Sequence, residues 1–293
     1  MDSIQITNTA TNTIPNILLQ MKNDNKSNYT IKFTRKALSF LSKHTTLNEP
    51  EAVRAFLASL NASEGYKKNL CIAYNRYCKY NKIEWTMPKY NPVSKVIKIP
   101  SKDKLEMFIA KAGNTLGTKL QLSMETGLRP IEAYNLKVKD IDLEQRLIYP
   151  TTAKHGSPRA LKISNSLTKM LTDHIARNHL SLTDKIFKGT PDDYGKSFRT
   201  MRNKLANKLH DPTLSQIRLY DFRHYFATTL YAKTRDILLV MKQMGHKKIQ
   251  TTLIYTQLLN LNEDEWTCKA TNNSKDTTAL VERGFEYFAP TPD

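Results

Sequence analysis

The sequence predicts a mainly α-helical protein with a small antiparallel β-sheet, organised as two domains. Apolar residues recur at helical spacing in three regions, at about 29–90, 100–136 and 165–265. Between the first two regions, Pro88, Pro92 and Pro100 stop the helical pattern. Short alternating runs with Gly, Pro and acidic turns fill about 137–163, which is typical of strands joined by tight turns. A chain of 293 residues is long enough for two domains.

Residues 1–26 are rich in Thr, Asn, Ile and Ser and show no sustained hydrophobic period. We therefore predict that they form a flexible N-terminal arm. The apolar run Ile14–Met21 is short and interrupted, and no cationic segment precedes it, so it matches neither a signal peptide nor a membrane span. These features predict a cytoplasmic protein with no membrane partner.

The segment 27–90 has the pattern of a helical domain. Its stretch "GYKKNLCIAYNRYCKYNKI" alternates tyrosines with basic residues, so that a helix would carry one apolar and one basic face. The basic residues Lys67, Lys68, Arg76 and Lys79 are therefore candidate DNA-binding cations. A core stripe beside an ordinary solvated face is the alternative interpretation of the same alternation.

Residues 91–99 combine prolines with extended basic residues and are predicted to be a linker. Ser101 follows as the N-cap of the first helix of a second domain, which spans 100–265. Inside that domain the turn "AKHGSP" joins two strand-like runs and places Lys154 at the tip of a hairpin. The remaining segment, 266–293, is predicted to be a C-terminal tail.

The balance of charges indicates a polyanionic partner. The chain has 45 Lys and Arg residues against 27 Asp and Glu, a net charge of +18, and such an excess attracts nucleic acid. The three cysteines, Cys71, Cys78 and Cys268, have neither the number nor the spacing of a disulfide framework or a zinc site. Their pattern favours a reducing compartment.

Tyr255 is a candidate nucleophile, nine residues after His246 in "MGHKKIQTTLIYTQ". Attack by its phenol on a phosphodiester needs cations at the non-bridging oxygens and a proton donor for the leaving alkoxide. Arg129 and Arg223 suit the first need, because a guanidinium is always charged and forked. Lys154 is a further candidate cation. No acidic cluster suggests bound metals, so we expect no metal and no other cofactor.

This set of motifs resembles the tyrosine recombinase family, also called the phage integrase family, and in particular its Xer-like and archaeal integrase members. The stretch "TGLRPIEAYNL" is similar to the family's first arginine box, and "YDFRHYFATTL" is similar to its second. The stretch "MGHKKIQTTLIYTQL" is similar to the box in which a tyrosine follows Gly-His, and "AKHGSPRALKI" to the hairpin that carries the family's lysine. The second box usually begins with histidine, whereas this chain has Tyr220 there.

The resemblance implies a C-shaped clamp, in which a helical core-binding domain and a catalytic domain grip double-stranded DNA that carries a specific recombination site. Four protomers would assemble on two such sites, each passing its C-terminal segment to a neighbour. The enzyme would be a site-specific recombinase or integrase of the nucleoid, working through a 3′-phosphotyrosyl intermediate without metal or ATP. A type IB topoisomerase and a non-catalytic DNA-binding relative are the alternatives.

The resemblance also implies roles for the candidate catalytic residues. Tyr255 would attack the scissile phosphate while Arg129 and Arg223 neutralise its oxygens. Lys154 would protonate the leaving 5′-oxygen. His246 would hydrogen-bond the phosphate or help to take the proton of the phenol.

Three further residues would have supporting roles. Glu132 would hold Arg129 in place, and His224 would be a structural hydrogen-bonding residue. Tyr220, at the position of the family's histidine, would keep the role of hydrogen-bond donor to the phosphate. It would lose any role as a general base, because a phenol stays neutral until about pH 10. Packing of Tyr220 against the helix that follows it is the alternative.

Overall fold

The computed structural model describes residues 3–92, 97–152, 156–258, 271 and 273–282. The chain divides into two compact units, Met1–Val96 and Ile97–Asp293, and this division falls within the predicted linker 91–99. The assignment of a core-binding role to the first unit and a catalytic role to the second stays a prediction. Within the described part of the chain, no helix combines the length and the apolar character that crossing a bilayer requires.

Four helices form the first unit: α1 (Ser3–Asn23), α2 (Asn28–Leu41), α3 (Pro50–Ser59) and α4 (Glu64–Asn81). Serines fix two of the helix starts. The hydroxyl of Ser27 accepts a hydrogen bond from the backbone N–H of Thr30, and Ser63 caps Tyr66 in the same way. All four helices contribute side chains to the core, among them Ile17, Leu38, Leu57, Leu70 and Tyr74.

The structure corrects the expectation of a flexible arm at 1–26. Most of this segment is α1, and its Ile14, Ile17, Leu18 and Met21 are buried in the core of the first unit. These four positions have the i, i+3, i+4, i+7 spacing of one helix face. The Thr and Asn residues around them have low helix propensity and obscure the stripe. Tertiary packing of the apolar face outweighs that propensity.

Helices also dominate the second unit. They are α5 (Lys102–Lys111), α6 (Asn114–Thr126), α7 (Pro130–Asn135), α8 (Asn165–Arg177), α9 (Pro191–Lys208), α10 (Leu219–Thr234), α11 (Ile237–Met244) and α12 (Ser274–Glu282). Short 3₁₀ segments lie at Val138–Asp140, Pro212–Gln216, Ile249–Thr251 and Leu253–Leu258. Ser101 stands at the N-cap of α5, as predicted, although no capping hydrogen bond from its side chain is found among the described residues.

The predicted antiparallel sheet is present between α7 and α8. Its strands are β1 (Ile141–Asp142), β2 (Leu147–Ile148) and β3 (Leu161–Lys162), in the order β1-β2-β3. Both pairs are antiparallel, with Ile141 opposite Ile148 and Leu147 opposite Lys162. The tip of the hairpin between β2 and β3, residues 153–155, lies outside the described residues, and so does the candidate Lys154.

The predicted C-terminal tail, 266–293, is described only in part. Its residues Ser274–Glu282 form α12, none of which is buried. Cys268 lies outside the described residues, whereas Cys71 and Cys78 are buried free thiols of α4. Exchange of the tail between protomers stays a prediction.

Candidate active site

The candidate site is built from the ends of several elements of the second unit. Arg129 is the N-cap of α7, and Arg223 lies in the second turn of α10. His246 follows Gly245, the C-cap of α11, and Tyr255 lies in the 3₁₀ segment Leu253–Leu258. Helix α10 packs against both α6 and that 3₁₀ segment, and this packing brings the separate motifs of the sequence together.

Arg223 is buried and connects three segments through its guanidinium. It donates to the carbonyl of Gly127, just beyond α6, and to the carbonyl of Met244 at the end of α11 at 2.9 Å. Its Nη2 also lies 3.0 Å from Nε2 of His246. Burial and the charge of Arg129 lower the pKa of Arg223 to about 10, so this side chain remains a cation at neutral pH.

The imidazole of His246 is held on both nitrogens. Because Nε2 faces a guanidinium donor of Arg223, we assign it as the acceptor. The opposite nitrogen, Nδ1, then carries the hydrogen and donates to Oγ1 of Thr252 at 2.9 Å. Burial and the charges of nearby arginines, first among them Arg223, lower the pKa of His246 to about 4. The ring is therefore neutral near pH 7.

Glu132 is a fully buried carboxylate that joins two arginines. Its Oε1 accepts from Nη1 of Arg129 at 2.9 Å, and its Oε2 accepts from Nη2 of Arg159 at 2.8 Å. Oε2 also accepts from the backbone N–H of Arg129 at 3.0 Å. Burial alone would raise the pKa of Glu132. The hydrogen bond from Arg159 and the bond and charge of Arg129 outweigh that effect and lower the pKa.

Arg159 is a functional candidate that the sequence analysis missed. It is 7% exposed, and its Nε and Nη1 have no hydrogen-bond partner among the residues that the structure describes. A Cβ at Gly245 would lie 2.5 Å from its Nη1, so the close approach requires glycine there. A signal was present: Arg159, Leu161 and Ile163 have the period of a strand face, and all three are buried. An arginine on a core-facing strand position is unusual.

The phenol of Tyr255 is 2% exposed and contacts His224, with 3.1 Å between its hydroxyl oxygen and Nδ1. Burial raises the pKa of Tyr255 to about 12, against the opposing charge of Arg223, so the hydroxyl keeps its proton at neutral pH. Burial likewise lowers the pKa of His224. His224 was expected to be a structural hydrogen-bonding residue, and its contact with Tyr255 is not predictable from the motif alone.

Tyr220 stands one helical turn before His224, and their ring centroids are 5.4 Å apart in an edge-on arrangement. Its side chain is 42% exposed, unlike the buried Arg223 and Tyr255. Tyr220 therefore lies at the surface of the second unit, whereas Arg223 and Tyr255 lie inside it.

A small cationic cavity of about 170 Å³ lies beside Arg129 and His246. It is lined by Arg129, Gly156, Gly245, His246, Lys247, Lys248 and Thr251. No acidic residue is among them, which suits an anion such as a phosphate. A larger groove of about 600 Å³ runs along α9 and carries four lysines, but no candidate catalytic residue lines it. Among the described residues, no group of three or more His, Cys, Asp or Glu is placed to hold a metal ion.

The four basic candidates of α4 are not equivalent. Lys68 and Lys79 are exposed, as a contact with DNA would require. Lys67 donates to the carbonyl of Ala58 at 3.2 Å, and Arg76 donates to Oγ1 of Thr34 at 3.1 Å and is partly buried. Arg76 is thus engaged within its own unit.

The chain belongs to the phage integrase family, whose model matches residues 93–261, more than half of the chain. The class of protein that fold and family define is that of the tyrosine recombinases, enzymes that cleave and rejoin DNA at specific sites.

Two relatives and one solved structure show how far the similarity extends. Tyrosine recombinase XerH of Campylobacter jejuni is 32% identical over 190 residues, which cover 57% of this chain and 51% of that protein. Tyrosine recombinase XerA of Saccharolobus solfataricus is 27% identical over 241 residues, which cover 77% of this chain and 79% of that protein. The matched region thus spans about half of the first relative and about four fifths of the second.

The fold is similar to that of the Tn1549 transposon integrase, solved in complex with transposon right end DNA. The TM-score is 0.63 at 14% identity, and the match covers 92% of this chain and 99% of the other. The mainly α-helical fold with a small antiparallel sheet, predicted from the sequence, is confirmed.

Proposed function

We propose that this protein is a site-specific DNA recombinase or integrase that cleaves and rejoins double-stranded DNA through a 3′-phosphotyrosyl intermediate. The observation that carries the proposal is the position of Tyr255, at the site where Arg223 and His246 are hydrogen-bonded to each other. Two separate sequence segments supply these three side chains: α10 carries Arg223, and the stretch that follows α11 carries His246 and Tyr255. Each side chain is of the type that the chemistry needs.

In the proposed cleavage, Tyr255 attacks the scissile phosphorus and the 5′-oxygen leaves. Arg129 lines the cationic cavity and its side chain is 16% exposed, so it can bind a phosphate oxygen while it remains paired with Glu132. Arg223 adds a permanent positive charge beside it. Fixed cations at the oxygens where charge develops lower the barrier of phosphoryl transfer.

Lys154, which the sequence predicts in the turn between β2 and β3, would give its proton to the leaving 5′-oxygen. The phosphotyrosyl bond keeps the free energy of the original phosphodiester. A 5′-hydroxyl of a partner strand can therefore reverse the reaction and complete strand exchange.

Two hydrogen-bonding roles complete the proposed site. His246 holds Arg223 through Nε2, and its position at the rim of the cavity allows a contact with the bound phosphate. Tyr220, which is 42% exposed, donates to a phosphate oxygen from the side of the solvent.

The proposed partner is double-stranded DNA with a specific recombination site, bound by four protomers on two sites in the cytoplasm, in association with the nucleoid. The net charge of +18 supports a polyanionic partner. Lys68 and Lys79 of α4 are the most accessible of the candidate contacts in the first unit.

The experiment that tests this function traps the covalent intermediate. The purified full chain is incubated with a pool of nicked duplexes whose arms are randomised and whose cleaved 5′-end diffuses away. We expect a protein–DNA adduct that survives denaturation, and sequencing of the trapped DNA would define the site. Tyr255→Phe is the matched control and should form no adduct while it still binds DNA. An adduct of equal yield in Tyr255→Phe would refute the proposal.

A second substrate separates the role of Lys154 from that of the arginines. A duplex with a 5′-bridging sulfur has a leaving group that needs no proton. It should restore cleavage by Lys154→Ala and leave Arg129→Ala slow. Rescue of the arginine variant instead would reverse the assigned roles.

A further inference from the structure

We propose that His224 is a catalytic residue of the cleavage step and takes the proton of Tyr255 as the phenol attacks the phosphate. This inference rests on the proposed function and assigns within it the general base. The sequence motifs had left that role with His246 or with no residue.

The geometry of Tyr255 carries the inference. Its hydroxyl oxygen lies 3.1 Å from Nδ1 of His224, within the reach that a proton transfer needs. Both groups sit on packed elements, because α10 rests against the 3₁₀ segment Leu253–Leu258. The imidazole is therefore positioned before any substrate arrives.

Both ring nitrogens of His246, the other histidine of the site, already have hydrogen-bond partners. Nε2 of His246 faces Nη2 of Arg223 at 3.0 Å, and Nδ1 is paired with Thr252 at 2.9 Å. Within the described part of the chain, neither nitrogen is hydrogen-bonded to Tyr255. Taking the phenol's proton on His246 would first require the loss of one of these two bonds.

Tyr220 cannot supply the base either. Its own phenol is neutral at physiological pH and is a poor proton acceptor. His224 lies four residues further along α10, on the same helix face, and its ring packs edge-on against the Tyr220 ring. The imidazole that the second box lacks at Tyr220 is thus present one helical turn later.

The surroundings of His224 keep its lone pair available. The charged groups nearest in influence are Asp221, Arg218 and Arg223, all on α10, and the group that faces it from another element is the phenol of Tyr255. Burial, with the two arginine charges, lowers the pKa of His224 below its ordinary value of 6.5, so the ring is neutral near pH 7.

Protons and electrons balance in the proposed step. The O–H bond of Tyr255 breaks and its proton moves to Nδ1 of His224, while the phenolic oxygen forms a bond to phosphorus. The bond from phosphorus to the 5′-oxygen breaks, and that oxygen takes a proton from Lys154. In religation the imidazolium of His224 returns its proton to the departing phenol. The phenol acidifies as its bond to phosphorus forms, so a base much weaker than phenolate suffices.

The test uses His224→Asn in the full chain, with single-turnover adduct formation on the trapped nicked duplex measured from about pH 5 to about pH 9. The asparagine carbonyl stands where Nδ1 stands. It can accept the hydrogen bond of the phenol but cannot take its proton. We expect a rate loss of about 10²–10⁴-fold, the usual contribution of a general base. The exposed His210 offers a matched control, and His210→Asn should keep the wild-type rate.

The pH dependence distinguishes a base from a positioning residue. The wild-type rate should fall as the pH drops through the lowered pKa of His224, below 6.5. Above pH 6.5 the ring of His224 is neutral, so the wild-type rate should reach a plateau there. In His224→Asn this plateau should be absent, and the rate should rise steadily up to about pH 9 as more phenol ionises. The 5′-bridging sulfur should not restore this variant, because it replaces only the acid.

Two outcomes would overturn the assignment. One is a wild-type rate in folded His224→Asn, which would leave the proposed function intact if Tyr255→Phe stays inactive. The other is a wild-type rate that rises steadily from about pH 7 to about pH 9 without a plateau, which needs no substitution and so does not depend on the folding of a variant. Absence of an adduct with the wild-type chain would instead refute the function itself.

Discussion

The two units of the chain bury different kinds of side chain. Among the described residues, Thr34 is the buried polar residue of the first unit. The second unit buries several carboxylate, guanidinium and imidazole side chains: Glu132, Arg159, His174, Asp221, Arg223 and His246. Burying a charge is costly unless it is paired and hydrogen-bonded. The difference indicates that the first unit is organised for packing and the second for holding charge in place.

The largest expected effect comes from breaking the buried carboxylate bridge. Glu132→Ala leaves Arg159 and Arg129 without their shared acceptor, and removal of one partner from a buried pair costs about 3–5 kcal/mol. Hydrogen exchange should accelerate in α7 and β3, and cleavage should fall.

Leu57→Ala in the first unit should lower the free energy of unfolding by about 2–5 kcal/mol, because it leaves a cavity in the core. There the faster exchange should stay within α2, α3 and α4, with cleavage per folded molecule retained. If Glu132→Ala and Leu57→Ala accelerated hydrogen exchange in the same helices and strands, the proposed difference between the two units would be wrong.

Arg223→Ala should slow adduct formation by about 10²–10³-fold, the usual effect of removing one donor that stabilises developing charge. Arg218 is the matched control, because it is the N-cap of the same helix and its side chain is 65% exposed. Its partner Asp221 is buried, but it keeps the hydrogen bond from the backbone N–H of residue 218 in the variant. Arg218→Ala should retain the rate within a few-fold. Single-turnover kinetics on the nicked duplex measure both. Similar losses in both variants would mean that position on α10, and not burial, determines the effect.

The third prediction concerns Tyr220, the exposed residue of the same site. If its hydroxyl donates to a phosphate oxygen, Tyr220→Phe should lose about 10²-fold in rate. Tyr220→His should retain activity, since imidazole can also donate. A rate near that of the wild type in Tyr220→Phe would show that this ring only packs against His224.

The smallest effect concerns acid stability. A lowered histidine pKa means that the unfolded chain binds more protons, so stability falls as the pH drops below the unfolded value. For His246 this decline runs from about pH 6.5 to about pH 4. His174 and His224 also have lowered pKa values and act in the same direction. Urea unfolding midpoints should therefore decrease across this window, and the decrease should be smaller in His246→Asn. A steeper decrease in that variant would contradict the assigned sign.

Sequence periodicity predicted the larger helices, the small sheet and the chain motifs that meet at the site. Arg129, Arg223, His246 and Tyr255 are reached by such reasoning because each lies in a local pattern that a reader can recognise. The helix α1 was missed because its apolar stripe is diluted by Thr and Asn, and only packing against the other helices reveals it.

Partners within the site were harder to predict than the site itself. Neighbouring residues on a helix point about 100° apart, so Arg223 enters the core while His224 faces Tyr255. The sequence around Arg223 and His224 does not show which of the two side chains points into the core and which points towards Tyr255. The same holds for Thr252 beneath His246 and for Arg159 beside Glu132, since both contacts depend on how separate elements pack.

Arg223 has a structural role as well as its proposed catalytic one, because its guanidinium donates to two backbone carbonyls. These hydrogen bonds to Gly127 and Met244 connect the ends of α6 and α11 to α10. The guanidinium that is proposed to stabilise the charge of the phosphate therefore also stabilises the fold. Substitution at this position therefore also weakens the fold, so the rate of Arg223→Ala has to be compared with that of the wild type per folded molecule. An inactive chain that still folds and binds DNA, as needed to capture the complex before cleavage, should therefore be made at Tyr255, where a single oxygen can be removed.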